Sequence, residues 1–141
     1  MPKLVNAELS GESCKSTALD LQQIFSAWSD LEFAVLVGSR AAGTERSDSD
    51  WDIALYWRED IPWLERVEKT ETLRRELAKG LGENESRVDL IDLANANLAM
   101  RAAVTEEGLP LIGEESVAWA RFLRRTWREL EDFYWEKEHA V

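Results

Sequence analysis

Asp50 and Asp52 stand two residues apart at the head of an apolar segment that runs on through Ile53-Ala54-Leu55-Tyr56. Upstream, another apolar run, Phe33-Ala34-Val35-Leu36-Val37, ends at Gly38-Ser39, and a polar spacer of ten residues (40–49) separates the two. Alternate side chains of a strand share a face, so Asp50 and Asp52 are expected on one side and Trp51, Ile53 and Leu55 on the other. Two carboxylates in one small volume repel, and one has its pKa pushed up. A divalent cation relieves that repulsion: Mg²⁺ accepts hard oxygen ligands and completes its shell with substrate phosphates. Gly38-Ser39 supplies the other half. Glycine lets the backbone approach a ligand, successive N–H groups in a turn form an anion-binding concavity, and the serine hydroxyl adds a donor. The chemistry that follows is a phosphate cradle facing a metal clamp across the top of a hairpin-like pair of strands.

Gly38-Ser39, the ten-residue spacer and Asp50-x-Asp52 together resemble the signature of minimal nucleotidyltransferases, small single-domain members of the DNA polymerase β superfamily. The wording from Gly38 to Leu55, GSRAAGTERSDSDWDIAL, is similar to the form seen in MntA-like antitoxins of HEPN/MNT toxin–antitoxin pairs. The resemblance implies a polymerase β palm-like fold over nearly the whole chain, with ATP as substrate. It also implies a partner, a HEPN-family ribonuclease toxin that is inactivated when AMP is attached to one of its tyrosines.

Those residues need elements to hold them. After the second strand, Pro62 sits where a helix can begin. The pattern from Trp63 to about Lys79 is amphipathic, with Trp63, Val67, Thr70, Leu77 and Leu81 near one face and Gly80 and Gly82 as terminators. Arg87 to Leu93 is a third strand. Strand, helix and strand make a βαβ unit whose strands pair in parallel, which brings Asp89 alongside Asp50 and Asp52. Asp89 and Asp92 cannot both face that site from a regular strand. Asp89 is preferred because it comes earlier and because Val88-Asp89-Leu90 matches the apolar-Asp-apolar context of the family's third carboxylate. Ile91-Asp92-Leu93 offers a second such context, and otherwise reads Asp92 as a strand-end or helix cap.

Three carboxylates beside a phosphate-binding turn fit nucleotidyl transfer assisted by two Mg²⁺ ions. Asp50, Asp52 and Asp89 are the candidate catalytic and metal-binding residues, and Gly38, Ser39 and Arg40 the candidate nucleotide-binding ones. Arg46 reads as surface charge, and Ser47, Asp48 and Ser49 as residues that shape the spacer. CxxC, HExxH and Walker A patterns are missing from the sequence, and the sole histidine, His139, lies at its end.

The remaining elements complete an α/β (α+β) chain, a small mixed sheet with helices packed on it. A helix from about Ala18 to Trp28, capped by Thr17, precedes the first strand. Another runs from Asn95 or Asn97 to about Glu107, with Leu98, Ala102 and Thr105 inward and Gly108 as its stop. Leu109-Pro110-Leu111-Ile112 is at best an edge strand. The last helix, about Ser116 to Glu138, has a wide apolar side from Trp119 to Tyr134 that reads mostly as core, with Trp135 as an exposed aromatic anchor.

With 141 residues the chain is expected to be one domain, residues 1–15 forming a loose arm. Its net charge of −11, from 28 acidic and 17 basic residues, is wrong for coating nucleic acid and suits a basic protein partner. A lone Cys14, and the lack of any secretory or membrane-spanning apolar run, lead us to expect a cytoplasmic protein with no membrane partner. Two other readings use the same residues: transfer to a small molecule such as an aminoglycoside hydroxyl, and an antitoxin that only blocks its partner.

Overall fold

A computed structural model describes residues 20–140. The apolar run that precedes Gly38 forms β1 (Leu31–Val37), in which Phe33, Ala34, Val35 and Leu36 are all fully buried. A strand buried on both sides must be central and covered on both faces. It lies between β2 (Trp51–Trp57) and β4 (Leu109–Ile112), both antiparallel to it. β3 (Val88–Asp92) pairs in parallel with β2, which gives a four-stranded mixed sheet in the order β3-β2-β1-β4. The βαβ pairing and the edge position of the proline-containing strand are as the sequence predicts.

Helices cover the two faces. Residues 20–26 form α1, which packs Leu21 and Phe25 with Leu73 and Leu77 of α3 (Trp63–Leu81) against Trp51, Ile53, Leu55 and Trp57. On the opposite face, α4 (Leu98–Glu107) and α5 (Val117–His139) set Val104, Trp119 and Phe122 over Phe33, Val35 and Ala54. β2 alternates between these layers with the period of two that its sequence displays. Thr17 and the N-terminal arm lie outside the described residues.

Local chemistry fixes the ends. Gly82 closes α3 in the left-handed conformation (φ 69°), its N–H donating to the carbonyls of Ala78 and Lys79. Asn97, not Asn95, caps α4 by accepting from Met100 N–H, and Ser116 caps α5 by accepting from Trp119 N–H.

Three helical faces differ from expectation. In α3 the buried positions are Leu73, Leu77 and Ala78, while Trp63 and Val67 are exposed: the first two turns precede its contact with the sheet. In α4, Val104 is the buried residue, whereas Leu98, Ala102 and Thr105 are only half-buried. In α5, Trp119, Phe122 and Thr126 are buried and Trp135 is exposed as expected, but Trp127, Phe133 and Tyr134 are each at least half exposed. A helix of 23 residues spans about 34 Å, longer than the roughly 23 Å of a seven-residue strand, so its last turns reach past the sheet.

Candidate active site

Asp52 and Asp89 are direct register partners across the parallel β2–β3 ladder, with Trp51↔Val88 before them and Ile53↔Leu90 after. Val88 and Trp51 enter the core under α3, so the two aspartates between these rungs face the other side of the sheet. Burial, first, pushes the Asp52 carboxyl above its ordinary pKa. The charges of Asp89 and Asp50 and a carboxyl–carboxyl contact with Asp89 push it the same way. Asp52 is half-buried and Asp89 exposed. The pair therefore has one oxygen cluster against the protein and one toward solvent.

Asp50 lies near enough for its charge to act on Asp52. It precedes the first residue of β2, so strand alternation does not fix its direction, and its Oδ1 lies 3.6 Å from Arg87 Nη1. Among the described residues, no three acidic, histidine or cysteine side chains are gathered as a ready-made metal site. The donor set nevertheless fits a hard cation in part. Asp52 and Asp89 supply adjacent oxygens whose mutual repulsion raises the pKa of one of them, and Asp50 is the third donor if it leaves Arg87.

Arg87 escaped the sequence reading, although the parallel register carries the signal. Asp50 and Arg87 immediately precede the register partners Trp51 and Val88, and their side chains meet there.

Gly38 lies directly against this pair. Its φ of 78° is a conformation that side chains disfavour, and Val37, just before it, is the register partner of Asp52 across β1–β2. Ser39 opens α2 (Ser39–Ala42), a single helical turn that the sequence reading took as part of a loop. The Gly38 carbonyl accepts from Ala41 and Ala42 N–H, and the Ser39 carbonyl from Thr44 N–H, which fixes the turn from within.

Arg40 does not point at the carboxylates. Its guanidinium stacks over the Trp51 ring at 4.1 Å and donates to the Ser49 carbonyl at 2.9 Å. Trp51 is on the opposite face from Asp52, so Arg40 ties the spacer to the strand and is a positioning residue here. Ser49 helps from the other side, its Oγ accepting from Arg46 N–H at 2.7 Å.

Asp92 is accounted for without the site. Its Oδ2 pairs with Arg66 Nε at 3.1 Å and its Oδ1 accepts from Ala94 N–H, capping the turn after β3. The cap reading of Asp92 is the one the structure displays.

The family profile described as "Polymerase beta, Nucleotidyltransferase" matches residues 20–116, which contain every element of the sheet and the whole of this site. The chain belongs to this nucleotidyltransferase family. Comparison with curated proteins gives no match. Among solved structures, this nucleotidyltransferase is similar to a chain of a toxin–antitoxin complex with AMP-PNP, at a TM-score of 0.66 and 24% identity over 86% of this chain and 92% of that one. It is also similar to a chain of the MntA–HepT toxin–antitoxin, with a TM-score of 0.61 and 22% identity over 88% and 92% of the respective chains. A complex of a tri-AMPylated Shewanella oneidensis HEPN toxin with an MNT antitoxin gives 0.59 and 23% over 86% and 92%. At these identities the likeness establishes a shared fold.

Proposed function

We propose that this nucleotidyltransferase is a cytoplasmic, Mg²⁺-dependent antitoxin that transfers AMP from ATP to a tyrosine hydroxyl of a HEPN-family toxin and so inactivates it. The observation that carries the proposal is the Asp52–Asp89 register pair set against the Gly38 turn. AMP-PNP and a tri-AMPylated HEPN toxin in the complexes of similar fold support the nucleotide and the acceptor. The net charge of −11 supports a basic protein partner, since opposite potentials steer encounter.

In this mechanism Gly38 and Ser39 seat the β and γ phosphates, with the α-phosphorus toward Asp52 and Asp89. The phenol oxygen attacks that phosphorus in line, a new O–P bond forms, the α–β bridging O–P bond breaks, and pyrophosphate leaves with the electron pair. Asp89, the solvent-facing member of the pair, takes the phenol proton. Asp52, held by packing, keeps the geometry fixed, so catalysis is positioning and charge neutralisation without a covalent enzyme intermediate. Mg²⁺, when bound by these carboxylates, supplies the positive charge that offsets the triphosphate and acidifies the acceptor hydroxyl.

The test mixes the purified protein, Mg²⁺-ATP and the product of the adjacent gene, and reads the mass of that product. Addition of one or more AMP units, lost in Asp52→Asn and Asp89→Asn, is expected. Full neutralisation of the partner by both variants would instead establish steric blocking.

A further inference from the structure

The far end of β2 carries a second concentration of charge, of opposite sign. Asp52, Ala54 and Tyr56 share one face of the strand, and four residues separate the Asp52 and Tyr56 positions by about 13 Å. Around Tyr56 two adjoining cavities open, of about 240 Å³ and 580 Å³, which share Tyr56, Glu59, Phe122 and Arg125 as walls. The smaller is also lined by Arg58, Arg66 and Arg101. The larger adds Arg121, Arg124 and Arg128, successive solvent-side positions of α5. Seven of the 17 basic residues of a chain with net charge −11 thus converge on one place.

Pairing within the cluster leaves positive charge over. Arg66 is neutralised by Asp92, and Arg58 by Asp30 and Asp60. Glu129, however, serves two guanidiniums at once, Arg101 at 2.7 Å and Arg125 at 3.1 Å, which hold its carboxyl below the ordinary range. Among the described residues, Arg121, Arg124 and Arg128 form no ion pair. The facing acids are Glu32 and Glu59, and Glu59 is engaged by the Tyr56 hydroxyl at 2.7 Å. Arg101 is the telling member. Its side chain is 11% exposed, and while Nε and Nη2 have partners, Nη1 is buried with none. A buried guanidinium N–H without an acceptor is costly, and a water or an anion in the adjoining cavity would supply one.

We propose that these cavities form an anion site for a phosphate-bearing small ligand, separate from the Gly38–Asp52–Asp89 site. Guanidiniums match phosphate oxygens in pairs, and a local positive well in an acidic molecule admits a compact anion while the surrounding charge repels a long polyanion. The smaller cavity accommodates a phosphate group beside Arg101 and Arg125, and the larger one accommodates what the phosphate is attached to.

The experiment is calorimetric titration of the full chain with sodium pyrophosphate, and separately with AMP, in EDTA without divalent cations. One-site binding is expected, weakened about tenfold or more in Arg121→Ala/Arg128→Ala, a variant whose melting temperature should stay close to the parent's because neither side chain is ion-paired. Arg101→Met should weaken it further, and Arg75→Ala, an exposed position of α3 that lines neither cavity, should leave it unchanged. Tighter binding of AMP than of pyrophosphate identifies a nucleotide ligand, and the reverse a simple phosphate anion. Absence of binding at millimolar anion, or binding retained in full by the arginine variants of the cavities, overturns the proposal.

Discussion

A Cβ built on Gly38 falls 2.5 Å from Oδ2 of Asp52, so the turn and the carboxylate occupy adjoining space with no room for a side chain between them. Gly38→Ala therefore meets two obstacles, the positive φ and the Asp52 oxygen. We expect a loss of about 1–3 kcal/mol in stability from the strained backbone, read from the urea midpoint. Displacement of Asp52 should lower kcat/KM for nucleotidyl transfer by about 100-fold, since small misplacements at a reacting centre cost that much.

Asp52 binds its proton more tightly in the folded chain than in the unfolded one. The folded state therefore holds more protons between the ordinary value of 3.8 and the raised one, and stability falls as pH climbs through that window. Asp52→Asn removes this dependence. In EDTA the variant should match the parent near pH 3.5 and exceed it in urea midpoint at pH 7, while transfer is abolished. A variant less stable than its parent at pH 7 would refute the like-charge account of the site.

Asp89 and Asp92 separate cleanly by substitution. Asp92→Asn breaks the pair with Arg66 and should cost about 1–3 kcal/mol of stability with kcat preserved. Asp89→Asn should do the opposite, leaving stability intact and eliminating transfer. Thermal melts and single-turnover assays on the two variants decide the assignment.

In the mechanism we propose, Arg87 would compete with the cation for Asp50. Arg87→Ala frees Oδ1 and should lower the Mg²⁺ concentration giving half-maximal activity several-fold. An unchanged Mg²⁺ requirement would show that Asp50 is not a ligand.

Tyr56 is pushed up to about 12 by burial and by its hydrogen bond to Glu59. Its neutral form is favoured in the folded state, so its contribution to stability is complete below the ordinary value of 10 and is lost as pH rises from 10 through about 12. Tyr56→Phe should remove the late-titrating phenol from the tyrosinate absorbance curve and cost about 0.5–1.5 kcal/mol at neutral pH.

The strands themselves were readable because period-two alternation and uninterrupted apolar runs record burial directly, whereas the pairing of β4 with β1 was not. Parallel pairing of β2 with β3 then follows from the length of α3 between them, and with it the placing of Asp89 beside Asp52. Helical faces were read less well. An apolar residue such as Trp63 or Phe133 falls on the correct stripe, but whether a sheet lies beneath that turn depends on the relative lengths of α3, α5 and the strands. Asp50 lies just before β2, and its contact with Arg87 was not legible in the sequence. Arg40 is a candidate nucleotide-binding residue of the spacer, and its stacking on Trp51, set up by the one-turn helix that begins at Ser39, was not legible in the sequence.

The reach of α5 beyond the sheet divides the tryptophans optically. Trp51, Trp57 and Trp119 sit in the interior, whereas Trp127 on the outer side of α5, Trp135 on its outlying turns and Trp63 at the start of α3 are exposed. Emission should therefore contain a blue component that reports melting of the core and a red component that, once Trp63→Phe removes the exposed indole of α3, reports anything laid over the outer side of α5. One spectrophotometric titration can thus distinguish docking from unfolding without a label.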